Sequence, residues 1–182
     1  IDKICEKDNF FKYQQCKLLN KLTRKQKKNY FRIDIYLQQY CLFYNLKSNY
    51  VINCYKNFLK AYSKDCINFL NTGLYPLQIK KTMRKIKRID YDLILILSCL
   101  LSLHRFKIID ELLKIKYDLG YSNFVGIGPG IEIDILQNKL DKFLAYDISL
   151  SKFIKKKYSK NVLKKKFIGK NKKFNSIFAV EL

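Results

Sequence analysis

Residues 123–149 read NFVGIGPGIEIDILQNKLDKFLAYDIS, and no other stretch limits the fold as much. A short apolar run stops on glycine, which predicts a buried strand. Gly126, Gly128 and Gly130 follow in a G-x-G-P-G spacing. Glycines so close together suit a turn that needs positive backbone angles, or one to which another group comes nearer than a side chain would allow. In IEIDILQNKL the alternation of Ile131, Ile133 and Ile135 is strand-like, but Leu136 and Leu140 continue at helical spacing and predict a helix. KFLAYD predicts a second strand ending on Asp147. SLSKFIKKKYSK predicts a second helix with a serine cap, and FNSIFAV a later strand.

Strands that alternate with helices in this way imply a parallel, Rossmann-like sheet. Upstream the pattern is helical from Ile1 to about Leu70. Val51, Cys54, Tyr55, Phe58, Tyr62, Ile67 and Leu70 form much of one apolar stripe. LNTGLYP (70–76) predicts a turn and LQIKKTMRKIKRI a basic helix after it. Asp90 or Asp92 is placed to cap a buried helix over Leu93–Leu103. That run, LILILSCLLSL, has eleven residues, short of the roughly 20 that span a bilayer. HRFKIIDELLKIKYDLG predicts a further amphipathic helix, ended by Gly120. The expected organisation is therefore α/β: a helical N-terminal region over 1–88, then a partial Rossmann-like parallel sheet over 89–182. The isoleucine start and the stop at FAVEL both read as cut ends, so the expectation is a fragment of a longer protein.

A formal charge of +22 ordinarily points to nucleic acid or an anionic membrane. Here lysine outnumbers arginine 32 to 5, with 3 alanines and no tryptophan, a skew that an AT-rich coding sequence produces whatever the function. The charge is also uneven. Residues 91–150 carry 6 basic and 8 acidic side chains, whereas Ser151–Lys173 holds 11 lysines and no acid. The glycine segment thus lies in the least basic part, which suits a net-cationic zwitterion better than a phosphate. The six cysteines form no C-x-x-C pair and there is one histidine, which argues against a Cys/His zinc site. With no signal peptide legible, reduced and mostly buried thiols in a cytoplasmic protein are expected.

The dinucleotide fingerprint requires G-x-G-x-x-G. Here the third glycine comes one residue early and Ile131 fills the sixth position, which weakens a NAD-dependent reading; G-x-x-x-x-G-K-[ST] is absent. VGIGPG, AYDIS and FNSIFAVEL, in that order and spacing, resemble the motifs of the class I S-adenosylmethionine-dependent methyltransferases. The resemblance covers roughly residues 105–182. Phe124 stands where that family has an acid, and Asn175 where it has an aspartate. The family core has seven strands, and this chain reaches about the fourth. The resemblance implies S-adenosylmethionine as cofactor, with the backbone of Gly126, Ile127, Gly128 and Gly130 beneath its methionine and ribose. It also implies that Asp147 binds the ribose hydroxyls, that Ile148 and Ser149 border the adenine, and that Glu181 lies at the mouth of the site. Methyl transfer needs mainly proximity and orientation, so no acid/base pair is required. No catalytic residue and no metal ligand is assigned.

The implied acceptor is unidentified, a small molecule or glycan being favoured over RNA because no RNA-binding module is legible. A basic nucleic-acid-binding protein with an incidental glycine turn is the alternative from another class. Glu132 and Asp134 fit a first helical turn, where they favour the dipole. His104 reads as a satisfied structural histidine. The lysines of 152–173 read as a solvated helix face plus loop. Tyr30, Phe31, Tyr36, Tyr40, Phe43 and Tyr44 could stack on bases, but at helical spacing they read as core.

Overall fold

Six helices precede the first strand among the described residues of the computed structural model, which are 1–74, 86–115, 120–164 and 176–179. They are α1 (Asp2–Cys5), α2 (Asn9–Leu19), α3 (Arg24–Phe43), α4 (Ser48–Thr72), α5 (Arg88–Leu101) and α6 (Leu103–Leu113). Local chemistry sets several of their ends. Asp8 accepts from the amides of Phe10 and Phe11 at the start of α2, and Thr23 with Gln26 forms a capping box on α3. Gly73, left-handed at φ +67°, closes α4. The expected turn therefore begins later than LNTGLYP suggests. Most of the expected basic helix lies outside the described residues.

α5 is the centre of the helical layer. Leu93, Ile96, Leu97 and Leu100 are fully buried, and α2, α3 and α4 all pack against it. Burying each such side chain contributes about 1.5–3 kcal/mol. The helix begins at Arg88, earlier than expected, so Asp90 sits in its first turn and Asp92 inside it; neither is an N-cap. It breaks at Ser102, whose backbone is extended, and α6 starts afresh. α6 ends at Leu113, so Gly120 is not its cap. The α4 stripe also needs correction. Val51 and Tyr55 are buried, but Tyr62, Ile67 and Leu70 are exposed. The apolar pattern continues there, while α5 covers only the first half of the helix.

Among the described residues the sheet has four strands, β1 (Tyr121–Val125), β2 (Lys142–Asp147), β3 (Val162–Lys164) and β4 (Ser176–Ala179). Their order is β3-β2-β1-β4 and every pairing is parallel. α7 (Ile131–Leu136) and a 3₁₀ turn (Gln137–Lys139) join β1 to β2, and α8 (Lys152–Lys157) joins β2 to β3. Ile131, Ile133 and Ile135 are all buried despite their strand-like alternation. β3 lies inside the lysine run read as helix face and loop, where VLK is too short to signal a strand. The chain is thus mixed helix and strand, mostly helical, with a parallel sheet at its C-terminal side.

Helical layer and sheet share one buried cluster running from Ile1 to Tyr158. Phe153 of α8 is the join: the rings of Tyr36, Tyr40 and Phe43 pack on it at 5.5, 5.2 and 5.5 Å between centroids. Tyr30, Tyr36 and Tyr40 are core, whereas Phe31 and Phe43 are exposed. The 88/89 boundary falls in the first turn of α5. Only Cys5 and Cys99 of the six free thiols are buried, fewer than expected. Among the described residues no helix is long and apolar enough to cross a membrane.

Candidate functional site

The glycine loop leaves β1 at Val125 and returns at α7. Gly126, Gly128 and Gly130 have φ of +67°, +50° and +78°. These angles disfavour any residue with a Cβ by about 1–2 kcal/mol each. Gly130 has a second reason to be glycine. A Cβ there would lie 2.8 Å from Ile154 Cδ1, the end of a fully buried side chain that would have to shift. The Gly126 amide donates to Tyr146 O at 2.9 Å, and Gly130 N donates to Ile127 O at 2.7 Å, closing the turn. From α3 the Tyr36 hydroxyl donates to Pro129 O.

Asp147 joins this loop to the end of β2. Its Oδ2 accepts from Gly128 N at 3.1 Å and its Oδ1 from Ser149 N at 2.9 Å. Arg88, the first residue of α5, reaches the same point. Its Nη2 donates to Gly128 O at 2.7 Å and lies 3.5 Å from Asp147 Oδ2. On its other side, Arg88 Nε stands 2.8 Å from Asp92 Oδ1, an ion pair whose angle makes no hydrogen bond. One guanidinium is therefore shared by two buried carboxylates and a loop carbonyl. Burial pushes the Asp92 carboxyl up to about 6; the charge of Arg88 opposes this and that of Asp147 adds to it.

The structure brings Gly128, Asp147 and Ser149 together by direct bonds, with Gly126 and Gly130 in the same loop. The Ile127 side chain is buried, so only its backbone could face a ligand, while Ile148 is 70% exposed. Phe124 is core, its ring against Phe143 at 6.1 Å. Asn175 and Glu181 lie outside the described residues. Asp134 pairs with Lys157 at 2.8 Å, and Arg32 donates to its backbone carbonyl. Glu132 sits in apolar surroundings whose desolvation raises its carboxyl to about 7, against the pull of Arg105. His104 is exposed in the first turn of α6, not the satisfied structural residue expected.

Arg88 and Asp92 are the part of this cluster that reading the sequence missed. The signal was present: an arginine and an aspartate four residues apart, directly before an apolar run long enough to be buried on all sides. Charges entering such a helix need partners. Among the described residues no group of three or more His, Cys, Asp or Glu could hold a metal ion. A cavity of about 480 Å³ lies elsewhere, lined by α2, α4 and the α5–α6 junction, with no lining residue from the loop.

The chain matches no protein-family model, and comparison with curated proteins and with solved structures finds no match either.

Proposed function

We propose that the glycine loop and Asp147 bind S-adenosylmethionine, and that the parallel sheet belongs to a Rossmann-like methyltransferase core. The observation that carries this reading is the meeting of Gly128 with Asp147, a first-crossover loop bonded to the end of the second strand. A β3-β2-β1-β4 order supports it. In sheets so ordered, ligands bind at the carboxyl ends of the strands where the direction of winding reverses, here between β1 and β4.

The donor set suits this cofactor. A carboxylate has about four lone-pair positions, and Asp147 uses three here, leaving one for a ribose hydroxyl. The loop brings backbone, rather than side chains, up to the methionine and ribose portions. Exposed Ile148 provides an apolar edge for adenine. When bound, the cofactor supplies an activated methyl group on sulfur. The chain's own contribution is to hold that group in line with an acceptor. The acceptor is a small molecule or glycan by preference. RNA is a second reading, favoured by exposed Lys152, Lys155, Lys156 and Lys160 around α8.

Calorimetric titration with S-adenosylhomocysteine, with NAD as control, tests the proposal. Binding by the native chain, lost in Asp147→Ala and absent with NAD, is the expected result. No binding by a chain shown to be folded by circular dichroism removes the cofactor assignment. Steeply salt-dependent RNA binding in its place would favour the nucleic-acid reading.

A further inference from the structure

We propose that the groove beside α2 is a separate binding site for a carboxylate with an apolar body. Its floor is Phe10, Leu18, Tyr55, Leu59, Leu101 and Leu103. Its rim carries Lys17, Lys21 and His104, all exposed, and no acid is among the lining residues. Lys17 lies in the last turn of α2 and Lys21 two residues past its end, and both line the groove. Neither forms an ion pair among the described residues. At about 480 Å³ the space falls within the roughly 300–1,000 Å³ of small-molecule sites.

The break between α5 and α6 shapes the far wall. Ser102, extended, turns the chain so that α6 begins at the groove, and no side chain caps its first amides. This end of the helix adds positive potential to what the lysines provide. Apolar floor, cationic rim and absent acid together select one kind of occupant. Its hydrocarbon part displaces water from the leucines and aromatic rings, while its carboxylate stays at the wet rim between Lys17, Lys21 and His104. A neutral hydrocarbon would leave the rim unused, and an ammonium group would be repelled. Since no residue of the glycine loop takes part, this site stands apart from the proposed methyltransferase reading.

Calorimetry on the whole chain with decanoate below its micellar range reads this out, with decylammonium and acetate as controls. Decanoate binds and the controls do not. Lys17→Gln/Lys21→Gln weakens decanoate by about fivefold or more, as expected for two partly solvated charge contacts. Gln14→Trp, which fills the groove from α2, abolishes binding while circular dichroism stays unchanged. Asp147→Ala leaves decanoate binding intact, which separates this site from the cofactor loop. Equal binding of decylammonium, full affinity in the lysine double variant, or no binding by the folded native chain would each overturn the proposal.

Discussion

At the glycine loop, protein groups answer one another. The amide of Gly128 is taken by Asp147, its carbonyl by Arg88, and the other side of Arg88 faces the fully buried Asp92. In the groove beside α2 the polar groups face outward, and Lys17, Lys21 and His104 are exposed above an apolar floor. The first region has its charges inside, bonded to one another and to the loop. The second has its charges in water, where they contribute little to the fold. Substitutions should therefore destabilise the fold at the loop and alter only binding at the groove.

The largest effect is expected from Arg88→Met. It leaves Asp92 buried without its cation, which costs about 3–5 kcal/mol, read as a fall in the urea midpoint. Arg88→Met/Asp92→Leu removes both charges and should recover more than half of that loss; a double variant no better than the single one would show that Asp92 has another partner. Gly130→Ala comes next. Left-handed backbone and the clash with Ile154 together cost about 2–4 kcal/mol, and an unaffected midpoint would mean that the loop yields easily.

A pH effect follows in size. Burial holds Asp92 and Glu132 above the ordinary carboxylate range, at about 6 and about 7. The unfolded chain ionises these groups first, so their contribution is complete below about pH 4 and is lost as pH rises to about 7. Unfolding free energy should fall over that window, and Asp92→Asn with Glu132→Gln should flatten the curve. Asn123 should act in the opposite direction. It is wholly buried on β1, and among the described residues neither amide atom has a hydrogen-bond partner. Asn123→Val is expected to raise stability by about 1 kcal/mol, and a lower midpoint would reveal a partner for the amide. Smallest of all is Lys17→Gln/Lys21→Gln, within about 0.5 kcal/mol of the native chain.

The sheet side was largely legible, because each of its signals is local. Three positive-φ glycines, a serine cap and the apolar KFLAYD run mark β1, β2, α7 and α8 without reference to the rest of the chain. What escaped was non-local. The exposure of Tyr62, Ile67 and Leu70 depends on where α5 ends its cover, which no pattern within α4 records. β3 is a three-residue pairing set by its neighbour β2. Arg88 was hidden for a similar reason, since its partners Gly128 and Asp147 lie 40 and 59 residues away in sequence. The cysteines misled through composition, which says how often a thiol is buried and not which one. The groove was illegible throughout, being formed by separate stretches of chain that meet only in the folded molecule.

α3 also bears on the order in which the molecule can form. Tyr36 holds Pro129 across 93 residues of sequence, Arg32 holds Asp134 across 102, and Gln39 accepts from Lys157 across 118. Contacts between such distant positions close large loops and come late. α2, α3 and α4 leave the ribosome well before the glycine turn exists. The three side chains on α3 must then wait, solvated, until the first crossover and α8 have been made. The loop is thus among the last parts to take its shape, and the helix that fixes it is among the first to be synthesised.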